Sequence, residues 1–277
     1  MSDSEAEGGV PLLDPEFDVT ADSKKRKRGD NDADAGLDKK ALKKAKRKEK
    51  KKAKAKDIDE NDLDQELGVN RAFQHMDSQL LADYINARTR LYGKDLSSVE
   101  LEDRFVPVRT IQDTSNWTEP RTKERLAAFL KKQCGKLSPT PAKPTGAPHT
   151  LVITASGIRA ADVFRALKSG LAEQGVKKAS IAKLFAKHMK VDEQVAHLNK
   201  NKIDFGVGTP ERLSALLDQN ALSTANLKRI VIDVSYIDQK KRGILDMKDL
   251  HEPLIALLLR KEFVNDEDDG DGLFVFY

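Results

Sequence analysis

The chain has 277 residues, 49 of them Lys or Arg and 45 Asp or Glu, for a formal net charge of +4 with 34% of residues charged. Its single cysteine, Cys134, excludes an intramolecular disulfide and suits a reducing compartment. No apolar run reaches the roughly 20 residues that span a bilayer, and the N-terminus shows no charged-then-apolar signal, so neither a membrane partner nor a secretory leader is expected.

Residues 1–66 read as a disordered tail. They hold too few large apolar side chains to offset the entropy of ordering. Their charge is blocky. Acids from Asp3 to Asp22 precede a basic cluster of Lys24, Lys25, Arg26, Lys27 and Arg28, and a second acidic block follows. Residues 39–56, including Lys43, Lys44, Lys46, Arg47 and Lys48, carry twelve basic residues against the single acid Glu49. Such clusters serve as nuclear-import addresses and as electrostatic contacts to RNA that are salt-sensitive and blind to sequence.

Phe73, Met76, Leu80, Leu81, Tyr84 and Ile85 then recur at helical spacing, with Gly93 as a stop, and are expected to face a core. Ser97 and Glu100 fit a capping box opening a short helix that ends near Pro107. Trp117 lies in a turn-rich segment and reads as an anchor, base stacking being the alternative. A helix is expected over 121–133 with Leu126, Phe129 and Leu130 inward, and the four prolines of 138–148 mark an extended loop.

From there strand and helix patterns alternate. Residues 151–155 read as a strand and Ser156–Gly157 as its turn, with Ser156 capping a helix that carries Val163, Phe164 and Leu167 and stops near Gly170. Arg159 falls in the first turn, where a cation opposes the helix dipole, so an anionic partner is expected for it. A further strand over 180–185 and a helix over 191–199 follow. His188 and His197 lack the companions a metal site needs. Ile203, Phe205 and Val207 alternate as on a half-buried strand; Gly206 and Gly208 suggest a sharp turn, Thr209 an N-cap and Pro210 the first helical residue. A helix opening in this way points free N–H groups beyond the strand's carboxyl end, which suits a phosphate. Ile230, Val231, Ile232 and Asp233 read as a buried parallel strand ending in an acid. A helix bearing Leu254, Ile255, Leu257, Leu258 and Leu259 is expected to pack on the sheet. Residues 265–277 read as an acidic, flexible tail with an exposed apolar end.

The stretch 207–213 (V-G-T-P-E-R-L), followed 24 residues after Thr209 by the strand ending at Asp233, resembles the first RecA-like lobe of DEAD-box RNA helicases. Residues 151–159 (L-V-I-T-A-S-G-I-R) sit where that lobe carries a further conserved strand and turn. The resemblance implies that Thr154, Ser156, Gly157, Arg159, Gly208, Thr209 and Arg212 lie where the helicase lobe holds the sugar–phosphate backbone of single-stranded RNA. The departures are specific. D-V-S-Y replaces D-E-A-D, leaving Asp233 as the one carboxylate positioned to approach a magnesium ion. Glu211 replaces glycine and brings a like charge to the phosphate path. No G-x-x-x-x-G-K-[ST] occurs, so the cradle and lysine that phosphoryl transfer needs are missing.

Together with the basic tail and residues 183–190 (K-L-F-A-K-H-M-K), these stretches resemble the U3-containing 90S pre-ribosomal complex subunit family. That resemblance implies a nuclear and nucleolar, non-catalytic role in early small-subunit assembly, with pre-ribosomal RNA and small-subunit processome proteins as partners. The expected architecture is a single RecA-like three-layer α/β/α lobe with a mostly parallel sheet. It spans 67–264 with an N-terminal helical extension, between the tails 1–66 and 265–277. No catalytic residue, cofactor, metal or small-molecule substrate is expected. The alternatives are a protein adaptor with no RNA site on the lobe, and an ATP-dependent helicase-like enzyme. Acyl chemistry lacks a nucleophile motif, and a methyltransferase would need a glycine-rich first turn that the sequence does not contain.

Overall fold

The computed structural model describes residues 60–135, 137, 143–176, 178–186, 189–264 and 272–277, all within the compact unit Ala55–Tyr277. The basic clusters at 24–28 and 43–48 lie outside the described residues, as do His188 and the acidic run 265–271.

A small antiparallel pair, β1 (Leu63–Asp64) and β2 (Val69–Asn70), opens the unit. A 3-10 turn at Arg71–Gln74 takes Phe73 into the core before the first helix, α1 (Ser78–Tyr92), begins. The Asp77 carboxylate accepts from Leu80 N and caps that helix, so Leu81 and Ile85 face inward. Leu80 is 53% exposed, contrary to its predicted inward position, because the buried face of α1 is formed by Leu81, Ala82, Ile85 and Thr89. The capping box of Ser97 and Glu100 opens α2 (Ser98–Glu102).

Five strands form one all-parallel sheet: β3 (Thr150–Ile153), β4 (Ile181–Leu184), β5 (Phe205–Gly208), β6 (Arg229–Ile232) and β7 (Phe274–Phe276), in spatial order β4-β5-β3-β6-β7. Alternation sends Leu151, Ile153, Ile230, Ile232, Phe274 and Phe276 to one face. Val152, Phe205, Val207, Val231 and Val275 go to the other. The second face is covered by α3 (Leu126–Cys134) and α4 (Gly157–Glu173). The first is covered by α1, α5 (Val191–Lys200), α6 (Pro210–Asp218) and α7 (Lys248–Leu258). The path from β3 to β4 runs toward one edge, and the later paths run back toward the other. A constant crossover hand then demands helices on opposite faces. This is the predicted three-layer α/β/α lobe.

Four local expectations change. Helix α3 starts at Leu126 rather than 121, because Arg121 enters the interior. Helix α4 runs through Gly170, where a Cβ would stand 2.8 Å from Ala127 Cβ; the glycine allows α3 and α4 to approach closely. Gly206 and Gly208 do not turn the chain but lie inside β5, where close neighbours leave no room for side chains. The expected flexible tail ends in β7, with Phe274 through Tyr277 all buried, because this apolar end finds an open sheet edge beside β6. Ile111 in turn bridges Phe274 in parallel, and Gln112 N donates to Phe274 O at 2.8 Å, extending the sheet by a sixth position.

Candidate functional site

In an open parallel sheet the crevice that takes ligands lies beyond the carboxyl ends of adjacent strands whose connections leave in opposite directions. Here those strands are β3, whose connection runs toward β4, and β6, whose connection runs toward β7. The residues that follow them are Thr154 to Gly157 and Asp233 to Tyr236, so Thr154, Ser156, Gly157 and Arg159 of the candidates named from the sequence lie at this edge.

Thr154 is fully buried. Its N–H donates to Gly208 O at 2.9 Å and its hydroxyl to the same oxygen at 3.2 Å, joining the ends of β3 and β5. Ser156 is exposed, and its Oγ accepts from Arg159 N at 3.2 Å as the cap of α4. The Arg159 side chain turns into the crevice. Its Nε donates to Asp233 Oδ2 at 2.7 Å and its Nη2 to Oδ1 at 3.1 Å, and the guanidinium stacks over the Tyr236 ring at 4.2 Å. Arg159 is 8% exposed and Asp233 3%. Burial disfavours the charged guanidinium, but the Asp233 charge and hydrogen bonds outweigh it and hold Arg159 above the ordinary arginine range.

Within the chain, the anionic group that Arg159 meets is Asp233, 74 residues away. Both oxygens of Asp233 accept from arginine. Arg212 is directed elsewhere: its Nη1 donates to Met189 O at 3.1 Å and to Gln194 Oε1 at 3.0 Å. Thr209 occupies the N-cap position of α6 but makes no side-chain cap hydrogen bond, and Glu211 is exposed beside it. Of the seven candidates, Ser156 is exposed, Gly157, Thr209 and Arg212 are half-buried, and Thr154, Arg159 and Gly208 are buried.

Three participants were not singled out as site residues. Tyr236 covers the ion pair. The N-terminal hairpin closes over the same loop, with Val69 bridging Tyr236 and Asn70 N donating to Ser235 O at 2.7 Å. Arg121, fully buried, donates to Phe276 O at 2.6 Å and to Thr114 O at 3.2 Å beyond the end of β7. Burial lowers its pKa to about 10, and no carboxylate among the described residues pairs with it. An arginine after proline in a turn-rich segment carries no sequence signal for such a position. The chain's own cations, carbonyls and hairpin thus occupy part of the edge, and a cavity of about 590 Å³ lined by Ala155, Ser156, Tyr236, Arg242 and Asp246 opens beside them.

A family model described as the U3-containing 90S pre-ribosomal complex subunit matches residues 19–277. Protein CMS1 of Chaetomium thermophilum is 50% identical over 209 residues, covering 74% of this chain and 81% of that protein. Protein CMSS1 of Homo sapiens is 29% identical over 182 residues, covering 65% of this chain and 59% of its own length. Among solved structures, S. cerevisiae Dbp5 bound to RNA and ADP BeF3 matches 69% of this chain at 14% identity and a TM-score of 0.37. The chain spans 43% of that structure's length.

Proposed function

The chain belongs to the U3-containing 90S pre-ribosomal complex subunit family, and we propose that it acts there as a non-catalytic assembly factor, a pseudo-helicase lobe tethered by a basic arm. The arm carries the affinity for pre-ribosomal RNA, and the lobe engages processome proteins in the nucleolus. The observation that carries this reading is the bidentate Arg159–Asp233 pair in the switch-point crevice. A helicase-like lobe would need that arginine for RNA backbone and that carboxylate for magnesium, and here each satisfies the other. The missing phosphate loop and the Val234 in place of a second acid support the same conclusion.

The test is RNA binding by the full chain across a salt series, with and without Mg-ATP. The comparison is a variant in which Lys43, Lys44, Lys46, Arg47 and Lys48 are all glutamine. The wild type is expected to show a log–log salt slope of about −0.7 per phosphate contacted on single strands. The five-fold variant should lose about that much slope for each contact removed, and ATP should change neither protein. Tighter RNA binding with ATP would overturn the pseudo-enzyme reading. Unchanged affinity in the variant would move the RNA site to the remaining basic residues of the arm or onto the lobe, where Ser156, Gly157, Thr209 and Arg212 retain accessible surface.

A further inference from the structure

On the sheet face covered by α1 and α7, a cleft of about 570 Å³ opens between the C-terminal part of α1 and the length of α7. That volume lies within the range of pockets that hold a ligand or a cluster of side chains. Its walls are apolar, formed by Tyr92, Leu96, Ile255 and Leu259, and His251 lines it as a residue only 1% exposed.

Thr89 Oγ1 lies 3.2 Å from Ile85 O and 2.9 Å from His251 Nε2, and the ring's Nδ1 is buried with no hydrogen-bond partner among the described residues. A buried polar atom left unpaired favours a rearrangement that brings it a partner. Asp249 and Glu252, both exposed, add carboxylates to the cleft lining. Glu252 is partly offset by Lys248 at 3.5 Å, and the lining Arg104 by nearby Glu100. Asp249 has no such offset among the described residues.

We propose that this cleft receives a protein segment of the 90S complex in which an apolar side chain is flanked by Lys or Arg. The apolar group packs between Tyr92, Leu96 and Ile255, and the cation lies opposite Asp249 and Glu252. An acidic lining and apolar walls repel a nucleic-acid backbone, so the occupant is a protein. The inference rests on the reading of the chain as a non-catalytic 90S subunit.

The probe is purified 90S pre-ribosomal particles depleted of this chain, titrated with full-length wild type, Ala256→Arg or Asp249→Lys and read by co-sedimentation. Ala256 and Asp249 are exposed, so neither change enters the core, and circular dichroism checks the fold. Each variant is expected to need at least tenfold more protein for half-saturation. Wild-type binding should also slow amide exchange in 89–96 and 249–259. Wild-type-like rebinding of both variants, or no protection in those segments, overturns the cleft while leaving the 90S reading intact. Failure of the wild type to rebind overturns both. A variant defect that disappears when the particles are ribonuclease-treated makes the occupant RNA and overturns the protein assignment.

Discussion

The guanidinium of Arg159 and the carboxylate of Asp233 face each other through two hydrogen bonds, 2.7 and 3.1 Å, in the crevice where a functional lobe of this topology would bind its ligand. Because both groups are buried, the pair's net worth is small compared with the cost of breaking it. Arg159→Ala or Asp233→Ala alone is therefore expected to destabilise the lobe by about 3–5 kcal/mol. The double change to Met and Leu is expected to cost far less than the sum. Urea unfolding of the three variants measures this. Additive single effects would mean that the two groups do not act as a pair.

His149 and His251 are 3% and 1% exposed, and burial, aided by neighbouring Arg229 and Arg88 respectively, holds each at a pKa of about 4 against an ordinary 6.5. The folded state thus keeps both neutral while the unfolded chain takes up protons below pH 6.5. Stability falls as the pH drops from about 6.5 to about 4, by up to roughly 3 kcal/mol per histidine. Chemical denaturation at pH 7 and pH 4.5 should show the loss, and His251→Gln should remove about half of it. A His149 or His251 resonance titrating near 6.5 in the native protein would contradict the assignment.

Gly208 stands in β5 where an added Cβ would lie 2.4 Å from Leu184 O and 3.0 Å from Leu184 Cβ. The obstacle is backbone of a neighbouring strand, so it cannot rotate away. Gly208→Ala is expected to destabilise the protein by about 1–3 kcal/mol through overpacking. Gly208 sits on the edge that resembles an RNA surface, so a binding assay alone would misread this variant. The midpoint of thermal unfolding, measured beside RNA affinity, separates the two effects.

These residues also mark how far the sequence was legible. The strand, cap and helix around Pro210 were readable because alternation, a capping residue and a first-turn proline all act locally. Arg159 was recognisable as a cation in need of an anion, but its partner lies 74 residues away and spacing alone does not reveal the pairing. Gly208 was visible as a constraint, though strand proximity rather than a turn imposes it. The strand at Phe274–Phe276 was missed because three residues after an acidic run carry too short a pattern. Its stability comes from β6 and from Arg121, neither of which is near in sequence.

The free edge of the sheet yields the last prediction. Strand β4 pairs with β5 on one side only, and the carbonyls of Lys183 within it and Phe185 just beyond it accept from Gln194 Nε2 at 3.0 and 3.1 Å. Arg212 holds that amide in the required orientation by donating to Gln194 Oε1 at 3.0 Å. The arginine that resembles an RNA-backbone ligand thus fixes a side chain that blocks the edge against pairing with another strand. Gln194→Leu removes both hydrogen bonds while filling similar space, leaving two carbonyls unsatisfied at a cost of about 1–3 kcal/mol each if they stay dry. It is expected to lower the unfolding midpoint and to introduce concentration-dependent association, seen by light scattering between low and high micromolar protein. Arg212→Leu should produce a weaker form of the same defect, since the amide remains but is free to flip. If Arg212→Leu instead left stability and association unchanged while weakening RNA binding, its role would be ligand contact rather than support of the edge.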